Sequence, residues 1–119
     1  MRAWVNNVTI DCADARALAA FYAALLDRAV VYDEGPWVVV GKSHPGEPNL
    51  VFQRVGDPTP GKAKAHLDVH VDDLRAATAK AEALGATRGV DVAEQGMWWR
   101  VMSDPEGNPF CLSPEAGSP

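Results

Sequence analysis

Residues 64–73 read KAHLDVHVDD and place His66, Asp68 and His70 on alternate positions, with Leu67, Val69 and Val71 between them. In an extended strand successive side chains point to opposite faces, so three titratable groups share one face and three aliphatic ones the other. An imidazole paired with a carboxylate is tuned upward in pKa and suits general acid–base work. The same groups are donors for a divalent ion, which needs three or four of them converging within roughly 2.0–2.3 Å. Neighbours two apart can share an ion, but His66 and His70 stand roughly 13 Å apart and cannot. The stripe cannot complete such a site alone; Cys111 in PFCLS could be a ligand or a reactive thiol. The bland alternatives are a solvated strand face for the polar stripe and a small buried hydrophobe for Cys111.

Other residues could bind rather than react. Trp98 and Trp99 adjoin on one strand, so one packs against a helix and the other faces a cleft or solvent. Alternation does not say which. A cleft-facing tryptophan beside Phe52 would form a flat apolar wall for an aromatic ligand. Trp37 and Trp4 pose the same question in weaker context. Arg100 could hold a substrate carboxylate, or sit in a surface ion pair. SDPEGN (103–108) carries one glycine and two acids, which suits a turn and repels phosphate. The chain contains no GxSxG, HExxH or GxGxxG.

The elements that must position these groups follow from the pattern. A chain of 119 residues with 47% hydrophobic content makes one ordinary domain, or two small halves sharing a core. The net charge of -5, with eleven scattered basic residues, argues against a nucleic-acid partner. Two cysteines, Cys12 and Cys111, make no disulfide framework, and the longest apolar run, Ala17 to Leu26, is too short to span a bilayer. A cytoplasmic location with no membrane contact is expected.

WVNNVTIDC alternates as a strand; Leu18, Phe21, Tyr22 and Leu25 then recur with helical spacing, after Asp14 at the N-terminal end. AVVYD and PWVVVG read as strands joined at Glu34-Gly35, and LVFQRV as a fourth. GDPTPGK is a linker at 56–62. Beyond it the order repeats: AHLDVHV, a helix with Leu74, Ala77, Ala81 and Leu84 on one face and Gly85 ending it, then ATRGVDV, GMWWRVM and PFCLS. The chain is thus α+β, βαβββ twice: module one about 3–55, module two about 63–114, and a tail at 115–119. Asn7 to Asp14 and His66 to Asp73 share one seven-residue spacing. With Val8, Ile10 and Cys12 turned to the first helix, and Leu67, Val69 and Val71 to the second, the other set faces away. Asn7, Thr9, Asp11, His66, Asp68 and His70 are then expected to line a cleft formed by two curved sheets.

IDCADARALAAFYAALL, HLDVHVDDLRAATAKAEALGA and WWRVMSDPEGNPFCL, with the DPxGN turn before the last strand, resemble the vicinal oxygen chelate superfamily over residues 3–114. That superfamily includes glyoxalase I, bleomycin-resistance proteins and extradiol dioxygenases, and the wording is similar to its short glyoxalase-like domains. The resemblance implies two modules around a cleft that holds a divalent ion in the metal-using members. Carried over, its first-strand ligand positions fall on Asn7 and His66, and its final Glu falls on Cys111. The matching strand of module one offers only Gln53. An amide is a weak ligand without charge, so the full metal site is not expected.

The expected function is binding of a small, partly apolar organic molecule, with Asn7, Thr9, Phe52, His66, Asp68, Trp98, Trp99 and Cys111 as lining residues. His66 and Asp68 are the candidates should chemistry follow. The alternative is a divalent-metal-dependent (Zn, Ni, Mn or Fe) lyase, isomerase or dioxygenase with His66 as a ligand. A third reading is a homodimer or partner domain exchanging halves at the 56–62 hinge.

Overall fold

A computed structural model describes residues 5–56, 66–94 and 97–114. Trp4, most of the 56–62 linker and the 115–119 tail lie outside the described residues. The chain divides into two compact units, Met1–Pro58 and Thr59–Pro119.

The first unit runs β1 (Asn7–Cys12), α1 (Ala15–Leu26), β2 (Val30–Glu34), β3 (Trp37–Val40) and β4 (Asn49–Arg54). The strands lie in the order β1-β4-β3-β2, with β1 and β4 parallel and the other pairs antiparallel. The parallel pair needs a crossover, which α1 supplies. Asp14 starts that helix by accepting from the Ala17 N–H at 3.1 Å. Asp27 ends it in the left-handed region at φ 53°. The turn between β2 and β3 falls on Gly35 and Pro36 rather than Glu34-Gly35, because Gly35 supplies the positive φ of 64°. Loop 41–48 is tied down where Glu47 accepts from the Ser43 N–H and pairs with Arg28 at 3.0 Å.

α1 packs on β3 and β4 of its own sheet. Phe52 is fully buried there, stacked on Tyr22 with centroids 5.5 Å apart. Replacing such a ring with alanine costs about 3–5 kcal/mol. Val38, Val40 and Leu50 complete the same layer.

The second unit repeats the plan: β5 (Leu67–Val71), α2 (Leu74–Ala83), β6 (Thr87–Glu94), β7 (Met97–Ser103) and β8 (Pro109–Pro114), in the order β5-β8-β7-β6. Asp73 caps α2 as Asp14 caps α1, accepting from the Ala76 N–H at 3.0 Å. At the other end, Gly85 at φ 106° donates to Glu82, and Ala86 donates back to Ala81. That pair of bonds closes the helix as a Schellman motif. The buried stripe of α2 is Leu74, Thr78 and Ala81. The DPxGN turn is wound around Asp104, whose carboxylate accepts from the Glu106 and Asn108 N–H groups and from the Asn108 amide. Among the described residues no helix is long and apolar enough to cross a membrane.

Candidate functional site

Each sheet has one face against its helix and one that is open. Which residues occupy the open face of the second sheet is decided by Arg100. Its guanidinium donates to the Thr78 hydroxyl of α2 at 2.9 Å, and that hydroxyl donates to the Leu74 carbonyl at 2.7 Å. The even-numbered positions of β7 therefore face the helix: Trp98, whose ring lies 5.3 Å from the Arg100 guanidinium carbon, then Arg100 and fully buried Met102. Trp99 and Val101 face the open side.

Pairing carries that assignment across the sheet, because directly paired residues share a face. Val101 pairs with Cys111, and Cys111 with Asp68. Continued one step past the Arg100–Leu112 pair, the same register puts Trp99 level with Ser113, which pairs with His70. The open face thus carries a row of Asp68, Cys111 and Val101 beside a row of His70, Ser113 and Trp99. His66, immediately before β5, joins this face through a contact of 3.4 Å from its Nε2 to the Asp68 carboxylate.

His66, Asp68 and Cys111 offer an imidazole nitrogen, a carboxylate oxygen and a thiol sulfur, all within 4.8 Å of one another. His66 and Asp68 are exposed, while Cys111 forms the floor at 8% exposure. Desolvation raises the thiol above its ordinary pKa, and the charge of Asp68 and a hydrogen bond to it push in the same direction. The sulfur is therefore a thiol at neutral pH.

The open face of the first sheet follows the same register. Asn7 pairs with Asn49; Thr9 pairs with Val51, which pairs with Val39, and Asp11 pairs with Gln53, which pairs with Trp37. Comparing the units places Val51 where the second has Cys111, and Trp37 where it has Trp99. Gln53, the oxygen donor expected of the first unit, matches Ser113 instead. The Asn7 amide oxygen accepts from Asn49 at 3.1 Å.

One expectation is corrected and another refined. Phe52 is not on the open face of its sheet: it is fully buried on the helix side beneath Tyr22. Val38 and Leu50 hold it there by sharing its face. Arg100 makes the expected ion pair, but a part-buried one: at 8% exposure it binds Asp91 through two bonds of 2.8 and 3.3 Å as well as Thr78. Trp37, considered only in passing from the sequence, is an aromatic on the open face of the first sheet, 40% exposed, and Tyr32, paired with Val39, is another. Alternation from Gln53 across the β3–β4 pair would have found Trp37. A separate hollow of about 330 Å³ lies on the helix side of the second sheet, lined by Leu74, Arg75, Thr78, Glu82, Arg88 and Arg100 among others. It is on the opposite face from His66.

A family model described as a glyoxalase-like domain matches residues 7–113. The chain belongs to this glyoxalase-like family. The βαβββ repeat is the fold that its structural neighbours share. A glyoxalase/bleomycin resistance protein/dioxygenase family enzyme from Burkholderia phytofirmans PsJN is similar at 19% identity and TM-score 0.78, over 94% of this chain and 98% of that one. UcmS2 is similar at 27% identity and TM-score 0.72, over 95% and 98%. TnmS3, an antibiotic binding protein from Streptomyces sp. CB03234, is similar at 19% identity and TM-score 0.72, over 95% and 96%. A search of curated proteins finds none that matches.

In this glyoxalase-like chain the ligand set that the resemblance carries over does not fit the residues present. The first unit has an amide at Asn7, already bonded to Asn49, and aliphatic Val51 at the place of Cys111. Of the carried-over positions, the two with strong donors, His66 and Cys111, belong to the second unit.

Proposed function

We propose that this glyoxalase-like protein binds a small, partly apolar organic molecule on its open sheet faces. The observation that carries the reading is the recurrence of an indole, Trp37 and Trp99, at the same register position of each unit. Both lie beside polar groups, Gln53 and Asp11 in one sheet, Ser113 and His70 in the other. A flat aromatic surface with a few polar groups at its edge suits stacking of a planar, partly polar ligand. Asn7, Thr9, His66 and Asp68 supply further hydrogen bonds. That TnmS3 is an antibiotic binding protein supports the same reading for this fold.

A panel of planar aromatic metabolites and antibiotics, followed by tryptophan quenching and thermal shift, tests it. At least one should quench emission and raise the melting temperature, and Trp99→Ala should weaken that ligand about tenfold or more, as losing a stacking anchor does. A panel that moves neither signal, or a Trp99→Ala variant that binds as well as the parent, rejects the reading.

The second reading is a divalent-metal-dependent lyase, isomerase or dioxygenase. It is favoured by the convergence of His66, Asp68 and Cys111. Metal-stimulated turnover of a substrate with vicinal oxygens, lost in His66→Ala, would put it first.

A further inference from the structure

We infer that the hollow on the helix side of the second sheet is a binding site for a small organic carboxylate, separate from the open face that carries Trp99.

Comparison of the two units shows how it arises. Aligned on the capping residues Asp14 and Asp73, Tyr22 of α1 matches Ala81 of α2, and Ala19 matches Thr78. Strand pairing matches Ile10, Phe52 and Val38 with Val69, Leu112 and Arg100. The first unit fills this layer with the stacked rings of Tyr22 and Phe52 and with buried Val38. The second has alanine and leucine where the rings stand, and a guanidinium in place of the valine. Less side chain is packed under α2, and a hollow of about 330 Å³ opens between it and strands β6 and β7. That volume lies within the range of small-molecule pockets.

The charges follow the same comparison. In the first unit Arg16 pairs with Asp33 at 3.0 Å. Arg75 matches Arg16, and Asp91, opposite Arg100, matches Asp33, opposite Val38. In the second unit, however, Arg100 and Arg88 take the Asp91 carboxylate. Arg75 is left at the rim of the hollow with no hydrogen-bond or ion-pair partner among the described residues. Arg100 has five N–H donors. Among the described residues it makes two bonds to Asp91 and one to Thr78, so each terminal nitrogen keeps one donor. A buried ion pair adds little stability over an apolar side chain, and Val38 shows that this place accepts one. The spare donors are accounted for by an anion.

The lining selects the ligand class. The guanidiniums of Arg75, Arg88 and Arg100 stand against the carboxylates of Asp91 and Glu82, and three against two leaves an excess of one positive charge. A monoanion balances it, whereas a dianion such as phosphate is repelled by the two carboxylates. The flat fork of an arginine matches a planar carboxylate. Thr78, which holds Arg100, is one turn from Arg75, while Glu82 is roughly 10 Å along the helix from it. An anion between Arg75 and Arg100 is therefore held away from Glu82. Leu74, Ala79 and the arginine stems give the rest of the molecule an apolar bed. The inference does not rest on the open-face ligand, which lies across the sheet.

The experiment is a heteronuclear NMR titration of the isotope-labelled chain with benzoate and isovalerate, beside benzamide and inorganic phosphate. At least one carboxylate should bind saturably at millimolar concentration or below, moving the amides of α2 and β6 and the Arg100 side-chain N–H. Benzamide and phosphate should each bind about tenfold more weakly or worse. Arg100→Gln should abolish binding. Should that buried substitution impair folding, Arg75→Gln, at an exposed position, should weaken the carboxylate several-fold with the melting temperature unchanged. Trp99→Ala should leave the carboxylate's affinity as it was. No saturable shift with either carboxylate, benzamide or phosphate binding as tightly, unchanged affinity in Arg75→Gln, or loss of binding in Trp99→Ala would each overturn the site.

Discussion

Asp68 and Cys111 stand directly opposite each other in the parallel pairing of β5 with β8, and the carboxylate's charge acts on the thiol. The two residues are 43 positions apart, by 111 minus 68, and only the strand register joins them.

In the metal-free protein Cys111 should react slowly with iodoacetamide at neutral pH, because desolvation and then Asp68 keep the proton on sulfur. Asp68→Asn removes the charge, lowers the thiol pKa towards its ordinary value and should speed labelling several-fold. Rates followed by intact mass, with Cys111→Ser as the blank, check this. Equal rates would show that Asp68 has no hold on the thiol.

The two adjacent tryptophans should separate by assay. Trp98 lies on the helix side against the buried Arg100, so Trp98→Ala should cost about 2 kcal/mol of stability, less than a fully buried ring. Trp99→Ala should cost less stability and carry the loss of ligand. Urea midpoints of the two variants, beside the quenching assay, give the comparison.

Asp91 links edge strand β6 to Arg100. Hydrogen bonds from Arg100 hold its carboxyl below the usual carboxylate range; desolvation opposes them, and the charges of Arg100 and Arg88 add to them. A folded-state pKa depressed in this way contributes stability that is present above the ordinary carboxylate value and lost as pH falls through the folded one. Asp91→Asn should therefore lower the urea midpoint at neutral pH and flatten its fall on acidification below about pH 5. The pair is one-third exposed on the Asp91 side, so the loss at neutral pH should be about 1 kcal/mol. An unchanged acid limb would mean that another carboxylate governs it.

Gly89 sits where the β6–β7 register slips, and a Cβ there would meet the Val101 carbonyl oxygen at 2.8 Å. Backbone cannot yield as a flexible side chain can. Gly89→Ala should destabilise by about 1–3 kcal/mol, read from the denaturation midpoint. A neutral result would show that the bulge relaxes freely.

Much of the fold is local and was legible in the chain. Asp14 and Asp73 each follow a strand and precede an apolar helical stripe, and both are N-caps, since a short carboxylate meets the free N–H groups of a first turn. DPEGN closes on the carboxylate of Asp104 for the same local reason. Alternation likewise placed His66, Asp68 and His70 on one face and the aliphatic residues on the other, because it follows from the geometry of one strand.

What alternation cannot supply is the sign of a face or the alignment of one strand on another. Trp98 and Trp99 are equivalent until the Arg100–Thr78 bond shows which parity meets α2. Phe52 read as a free wall until Tyr22 was found stacked on it. Cys111 became Asp68's neighbour only through the β5–β8 register. Sequence by itself determined the repeated βαβββ plan and the groups able to do chemistry, since both arise from contacts a few residues long. Tertiary structure decided which of them meet, because pairing between strands far apart in the chain is selected by the packing of the whole sheet against its helix.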